Sequence, residues 1–339
     1  MFIIIYVDDC GIAAKTEDLV NELLKNLEER GFQFTREGSF TEFLSINHIR
    51  LPDGRIELTQ TGLIKKIIST AGMEQCKPNQ VPTRRDPLGL DPDGVSMQEV
   101  FSYPSIVGIL LYLSSNTRPD IAFAVSQVAR FTHNPKESHA TALKVIVRYL
   151  KGTSDKGLIF NPSSALELGS HCDADFAGLF GHEPSSETNS ARSRLGYVVK
   201  LAGCPLLWRS CLMAIIAQST AEAEYASLSE LMRDLLPIRN ILIEFLKYVD
   251  IPADIMPTDA TPSNLVFEDN TTALALANNH RLTNRTRHFN VKFHHFWGAV
   301  RNGSVEIKYC PTTLMDADYF TKSLPRAPFV ENRIRVQGW

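Results

Sequence analysis

Cysteine is scarce and scattered in this chain of 339 residues. There are 6 cysteines, and no two of them stand in a C-x-x-C pair. A disulfide framework and a structural zinc site are therefore not expected, and a reducing intracellular compartment fits this usage best.

Long hydrophobic runs are also missing. The longest early apolar run, Met1 to Val7, ends at Asp8 and Asp9, with no basic region before it and no small-residue cleavage site after it. Such a run is too short to be a signal peptide or a membrane span, so no membrane partner is predicted.

An excess of charge of one sign is lacking as well. The sequence has 35 Lys and Arg against 38 Asp and Glu, and its formal charge is −3. A nucleic-acid partner must therefore be argued from local patches. With 44% hydrophobic and 22% charged residues the chain is not disordered, and its length suggests about two or three compact units.

The pattern along the chain changes twice. Phe2 to Val7 and Cys10 to Ala14 read as two strands of a hairpin, and Tyr103 to Leu150 reads as three helical runs separated by proline. From about Leu166, three strands lead into alternating helices and strands, with a long helix from Ala221 to about Val249 in which Pro237 predicts a kink or break. This last part predicts an α/β (α+β) layout with a mixed sheet.

Four carboxylates in the last part occupy the ends of strands or the first turns of helices. Asp173 and Asp269 end strands, and Asp318 opens the final helix. Glu224 lies on the same helical stripe as Leu228, which would turn a charge toward the core. If the four converge, they would hold two divalent cations for phosphoryl displacement, and oxygen ligands favour Mg²⁺ or Mn²⁺.

Each of these acids also has an ordinary structural explanation. Each could be a helix cap or a solvated element end, and for Asp316 and Asp318 an N-cap fits as well as a role in the metal site, because Asp is a preferred capping residue. An N-cap does not explain the face of the helix on which Glu224 stands, whereas Glu222 falls nearly opposite.

Two further features bear on nucleic acid. Asp8 and Asp9 at a hairpin tip could present carboxylates to metal-bound phosphates, or could form an ordinary Asp-rich turn. Between Arg281 and Lys308, six basic residues stand against one acidic residue, a net charge of +5. With interleaved aromatics this segment could track a nucleic-acid backbone, or could be a solvated helix with its aromatics in the core.

An ordered series of motifs resembles the Pol polyprotein of copia-type LTR retrotransposons, over nearly the whole chain. The reverse transcriptase motifs include Tyr6-Val7-Asp8-Asp9, Tyr103-Pro104-Ser105-Ile106-Val107-Gly108 and Asn116-Thr117-Arg118-Pro119-Asp120-Ile121-Ala122. The RNase H motifs include Asp173-Ala174-Asp175-Phe176, Ser219-Thr220-Ala221-Glu222-Ala223-Glu224-Tyr225, Asp269-Asn270, Arg285-Thr286-Arg287-His288 and Ala317-Asp318-Tyr319-Phe320-Thr321-Lys322.

This resemblance implies a division of the chain. Residues 1–90 would be a partial reverse-transcriptase palm and 91–163 a helical thumb or connection. Residues 164–327 would be an RNase H-like domain, a mixed five-stranded sheet flanked by helices, and 328–339 a C-terminal tail.

The resemblance also implies roles for individual residues. Asp8 and Asp9 match the paired aspartates of the polymerase metal site. The RNase H site, with two Mg²⁺ or Mn²⁺ ions that hydrolyse the RNA strand of an RNA–DNA hybrid, would be built from Asp173, Glu224, Asp269 and Asp318. The hybrid would be held in part by Arg285, Arg287, His288 and Lys292. The rest of the Pol polyprotein is a further expected partner, and the location would be the cytoplasm, in virus-like particles, or the nucleus.

The sequence departs from the family in ways that limit these roles. It begins one strand before Asp8, so the third polymerase aspartate is absent and polymerisation by this chain alone is not expected. Where the family usually has Phe-Leu-Gly-Ile, Ser45 replaces the glycine, which puts the local backbone in question. The alternative function is a non-catalytic, nucleic-acid-binding remnant of a decayed retroelement.

Overall fold

The computed structural model describes residues 1–36, 38, 41–98, 101–162, 166–184, 186–249, 263–279 and 291–339. Within these ranges, no helix is both long and apolar enough to cross a lipid bilayer.

The N-terminal part contains two small antiparallel units. Its elements in chain order are β1 (Phe2–Tyr6), β2 (Asp9–Ala13), α1 (Glu17–Glu29), β3 (Glu42–Phe43), β4 (Ile46–Arg50), β5 (Ile56–Thr59) and α2 (Thr61–Thr70). β1 and β2 form the expected hairpin around Asp8. Leu44 and Ser45 join β3 to β4 with φ angles of 53° and 61°, so Ser45 occupies the left-handed region that favours glycine.

A helical unit follows, and its elements begin close to the expected prolines. They are α3 (Tyr103–Asn116), a 3₁₀ turn (Pro119–Ile121), α4 (Ala122–Ala129), α5 (Glu137–Gly152) and the short strand β6 (Leu158–Phe160). β6 pairs with β5, which completes a four-stranded sheet in the order β3-β4-β5-β6.

The remaining residues build a mixed sheet with helices. The elements are β7 (Glu167–Asp175), β8 (Arg194–Leu201), β9 (Cys204–Leu212), α6 (Thr220–Leu246), β10 (Ser263–Glu268), α7 (Thr271–Asn279), α8 (Trp297–Arg301), β11 (Glu306–Tyr309), α9 (Asp318–Thr321) and α10 (Arg326–Gln337). The sheet order is β11-β10-β7-β8-β9; β7, β10 and β11 are parallel, and β8 is antiparallel to both its neighbours. The predicted α/β class with a mixed five-stranded sheet is confirmed.

The sheet separates two hydrophobic cores. On one face α6 and α7 cover β7 and β10, with Leu228 and Val266 fully buried between them. On the other face Val198 of β8 joins Phe320 of α9 and the apolar residues of α2 to α5 in a second core. The helical unit therefore packs directly on the sheet.

Three elements differ in extent from the expectations. The strand expected from Leu207 to Gln218 ends at Leu212. Of the kink or break expected at Pro237, the break is absent: α6 runs through the proline, because buried leucines on both sides of it anchor the helix to the core. The segment 328–339, expected to be a tail, lies mostly in α10, and the Trp339 indole donates a hydrogen bond to the Gly157 carbonyl at 2.6 Å.

Candidate metal centre

The centre begins with two neighbouring parallel strands that end side by side. β10 pairs with β7 in a register that sets Phe267 opposite His171. Asp269, one residue beyond the end of β10, therefore lies beside Asp173 near the end of β7. Carboxyl ends of adjacent parallel strands meet at one edge of a sheet, which is where ligands commonly bind in α/β folds.

The third carboxylate comes from the first turns of α6. Ser219 caps this helix by accepting a hydrogen bond from the Glu222 backbone N–H at 3.2 Å. The Glu222 side chain accepts a hydrogen bond from the backbone N–H of Gln218 at 2.7 Å, so its carboxylate holds the residue that precedes the N-cap. This reciprocal cap fixes the phase of α6 and turns Glu224 toward the sheet.

Asp173, Glu224 and Asp269 form one group. One carboxylate oxygen from each lies within 4.8 Å of the others. Asp173 is only 3% exposed and Glu224 only 4%, and the Glu224 Oε2 atom has no hydrogen-bond partner. A buried, unpartnered carboxylate oxygen that faces two other carboxylates is costly without a cation. This donor set, all hard oxygens, fits Mg²⁺ or Mn²⁺.

The pKa values of these acids show that burial and their mutual repulsion destabilise the ionised forms. Burial raises the pKa of Asp173 to about 6, and Lys322 opposes that rise. Burial, together with the charges of Glu268 and Asp173, raises the pKa of Glu224 well above its usual range. The free carboxylates are therefore poised to exchange protons for a cation.

Asp318 lies beside the group of three and is not a member of it. It opens α9, and its carboxylate accepts a contact from the Lys322 ammonium at 2.7 Å. The same ammonium lies 3.9 Å from Asp173. Three of the four expected acids thus form one cluster. Asp318 adjoins it, because its carboxyl group contacts Asp173 directly and shares the Lys322 ammonium with it.

α9 holds the cluster from the side opposite α6. Thr321 donates a hydrogen bond to Asp173 Oδ2. Gly196, which pairs with Asp173 across β7 and β8, makes this approach possible. A Cβ atom at position 196 would come within 2.7 Å of Phe320 Cβ and of Thr321 Cγ2, so a larger residue would push α9 away.

Sequence reasoning missed Glu268. This residue is fully buried, its Oε1 accepts a hydrogen bond from the Asn270 backbone N–H at 3.0 Å, and its Oε2 accepts one from Cys172 Sγ at 3.3 Å. Burial raises the pKa of Glu268 to about 8. The signal was present, because Asn264, Val266 and Glu268 alternate along β10 and so share its buried face.

Asp316, the other acid near α9, is an ion-pair partner inside the protein. It accepts hydrogen bonds from Lys200 and, at 2.6 Å, from Arg335 of α10, and His171 lies at 3.6 Å. Burial opposes its ionisation, but Lys200 and His171 outweigh burial and lower the pKa of Asp316. Neither of its two expected explanations, N-cap or site acid, describes this role.

The structure places Asp8 and Asp9 away from any such cluster. They stand at the exposed tip of the β1–β2 hairpin, where the preceding Val7 has a φ of 50°. In the described ranges, neither belongs to a group of three potential metal ligands.

Of the four residues expected to bind nucleic acid, Lys292 lies within the described ranges. Arg285, Arg287 and His288 lie outside the described residues. Lys292 is exposed on a short 3₁₀ turn, with its ammonium 5.0 Å from the centre of the Phe293 ring.

Comparison with known proteins supplies the family. The chain is 30% identical over 329 residues to the retrovirus-related Pol polyprotein from transposon RE1 of Arabidopsis thaliana, a match that covers 97% of this chain and 21% of that protein. It is 34% identical over 236 residues to an uncharacterized mitochondrial protein of the same plant, covering 68% of this chain and 90% of that protein. The chain belongs to the retrotransposon Pol polyprotein family. The resemblance to copia-type Pol is thereby confirmed.

The Pol relatives are much longer than this chain, which spans about a fifth to a quarter of their length. No protein-family model matches the Pol chain. Among solved structures, the foamy viral protease-reverse transcriptase in complex with an RNA/DNA hybrid aligns with 91% of this chain and 36% of its own, at 12% identity and a TM-score of 0.47.

Proposed function

We propose that the mixed-sheet part of this Pol chain is an RNase H-type nuclease that hydrolyses the RNA strand of RNA–DNA hybrids with two Mg²⁺ or Mn²⁺ ions. The observation that carries the proposal is the cluster of Asp173, Glu224 and Asp269, whose oxygens lie within 4.8 Å of one another. Burial of these acids is not explained by folding alone. Glu224 forms no ion pair within the described ranges, and Asp173 has one, the 3.9 Å contact with Lys322, yet the pKa values of both acids remain raised.

The residues of the chain would share the work in a defined way. Asp173, Glu224 and Asp269 would hold the cations, and Asp318 would contribute from the mouth of the site. Bound divalent cations would supply a water nucleophile that is deprotonated near neutral pH and would neutralise charge on the phosphate. Thr321 fixes one oxygen of Asp173 and thereby orients the other toward the cluster.

Lys322 has a separate part in the proposal. Its ammonium lies between Asp173 and Asp318 and partly neutralises the cluster when no cation is bound. Burial lowers the pKa of Lys322, but Asp173 and Asp318 outweigh burial and raise it, so the ammonium stays charged. It can then move toward a phosphate oxygen of the hybrid when cations take its place.

Two other groups of residues complete the proposal. Lys292, with Arg285, Arg287 and His288, is proposed to contact the hybrid backbone, because basic side chains next to aromatic rings suit a polyanion. Asp8 and Asp9 are proposed as the paired aspartates of a polymerase site and take no part in the hydrolysis.

The test is cleavage of an end-labelled RNA–DNA hybrid in the presence of Mg²⁺. Asp269→Asn should reduce cleavage by about 100-fold or more, since losses in the surroundings of a metal site alone cost roughly 10- to 100-fold. Asp155→Asn is the matched control, because Asp155 is an exposed carboxylate that pairs with the exposed Lys156, and it should cleave like the wild type. Binding of the hybrid by the wild-type chain with no Mg²⁺-dependent cleavage would instead select the non-catalytic remnant.

A further inference from the structure

A cavity of about 220 Å³ lies next to the candidate metal centre and is not explained by it. It is enclosed by the segment 82–88, helix α4, the loop after β7 and the start of β8. One wall is apolar and includes Phe123, Val128 and Leu179. The cavity therefore joins the helical unit to the mixed sheet.

The charged residues that line the cavity are mostly basic. Two carboxylates, Asp86 and Asp175, are outnumbered by five cations. The cations are Arg84, Arg85, Arg192, Arg194 and Lys322, and the last of these is paired with Asp318 and Asp173 of the candidate metal centre. An opening with this balance attracts anions, even though the whole chain carries a charge of −3.

Arg194 is the residue that points to a ligand. It is only 3% exposed, and no carboxylate of the described residues forms an ion pair with it. Its Nη1 atom donates to the hydroxyls of Ser126 and Ser210, its guanidinium lies 5.2 Å from the centre of the Phe123 ring, and its Nη2 atom has no acceptor.

A buried guanidinium without an anion is unfavourable, since burying an uncompensated charge is costly. The neighbouring Arg192 also has an unpartnered atom, its buried Nε. Burial and the nearby Arg130 lower the pKa of Arg194 to about 10, against the opposing attraction of Asp175. Each of these two cavity-lining arginines thus has one nitrogen without an acceptor, Nη2 of Arg194 and Nε of Arg192, and an oxyanion would provide one.

We propose that this cavity binds a phosphate group, held by Arg194 and Arg192 at its base and by Arg84 and Arg85 at its mouth. Guanidinium groups match phosphate because their fork of N–H donors can contact two oxygens at once. The apolar wall formed by Phe123 and Val128 accommodates the uncharged body of a nucleotide. The phosphate belongs either to a free mononucleotide or to a nucleic-acid strand.

This proposal is independent of hydrolysis at the candidate metal centre. Arg194 makes no contact with Asp173, Glu224 or Asp269 among the bonds of the described residues, so loss of phosphate binding and loss of cleavage are separately measurable. All measurements are therefore made in EDTA, where the metal centre is empty.

The experiment measures binding by isothermal titration calorimetry with three probes: inorganic phosphate, AMP, and a short single-stranded oligonucleotide without terminal phosphates. The wild-type chain should bind at least one probe at a stoichiometry of one. Arg194→Gln should weaken that binding about 10-fold or more. Arg233→Gln is the matched control, since Arg233 is an exposed arginine on α6 that pairs with Glu230, and it should bind like the wild type.

Arg192→Gln gives a second variant if Arg194→Gln does not fold, because Arg192 is less buried. It should also weaken binding, by several-fold. Binding of AMP or phosphate alone assigns the cavity to a free nucleotide, and binding of the oligonucleotide assigns it to a strand. No binding of any probe at millimolar concentration, or equal loss in the Arg233→Gln control, overturns the proposal.

Discussion

Replacing Asp173 by Asn should stabilise the metal-free protein at high pH. The pKa of Asp173 is raised from 3.8 to about 6, mainly by burial. An acid whose pKa is raised by folding makes its full contribution to the free energy of unfolding below pH 3.8, and that contribution is lost as the pH rises through about 6. Each pKa unit corresponds to about 1.4 kcal/mol, so ionised Asp173 lowers the free energy of unfolding by roughly 3 kcal/mol above pH 6.

The variant should recover only part of this amount. The amide that replaces the Asp173 carboxylate would weaken the hydrogen bond from Thr321, which is worth about 1 kcal/mol. The attraction of Lys322 at 3.9 Å needs no further subtraction, because the pKa of about 6 already includes it. We expect a net gain of about 1 to 2 kcal/mol at pH 8 and none at pH 4. Urea denaturation in EDTA at both pH values measures it.

Asp316→Asn is the matched control and should change stability in the opposite direction. Asp316 is also buried, but Lys200 and Arg335 outweigh burial and lower its pKa, so its ionised form is stabilising at neutral pH. Removing one partner of a buried ion pair costs about 3 to 5 kcal/mol. The reasoning is refuted if Asp173→Asn destabilises the metal-free protein at pH 8, or if both variants shift stability in the same direction.

Three further predictions concern stability. Ser45→Gly should raise the free energy of unfolding by about 1 kcal/mol, because Ser45 has a φ of 61°; an unchanged or lower thermal midpoint would contradict this. Gly196→Ala should lower the free energy of unfolding by about 1 to 3 kcal/mol in urea denaturation, because the added methyl group displaces α9. Gly62→Ala is the control and should not destabilise the protein, since the space around Gly62 is open. Similar results for the two variants would be inconsistent with the close contact of α9. Arg118→Met should cost about 3 to 5 kcal/mol by thermal unfolding, because the buried Asp120 loses its ion-pair partner and keeps only neutral donors such as Tyr149 and Gln337. A loss below 1 kcal/mol would be the contrary result.

Much of the mixed sheet was predictable because its strands and helices carry clear periodic signals. The phase of α6 separated Glu224 from Glu222, and the strand pattern from about Leu166 marked β7. These signals are local, so they survive without knowledge of tertiary contacts. The family resemblance added the expected order of the palm, the helical unit and the RNase H-like domain along the chain, which local periodicity does not contain.

The parts that were missed depend on tertiary contacts. α10 buries only a few side chains, among them Phe329 and Val336, so its sequence lacks a clear apolar stripe. The role of Asp316 depends on Lys200 and Arg335, which are distant from one another in sequence. Thr321 and Lys322 reach Asp173 because α9 packs against β7, and the local sequence does not specify that contact.

The most direct measurement is anomalous X-ray diffraction from crystals of the chain grown with Mn²⁺. The expected result is anomalous density between the carboxylates of Asp173, Glu224 and Asp269, which is lost in crystals of Asp269→Asn. Crystals of Asp155→Asn should retain it. Absence of ordered Mn²⁺ at this cluster at millimolar concentrations, with the three carboxylates still within 4.8 Å of one another, would contradict its assignment as a metal centre.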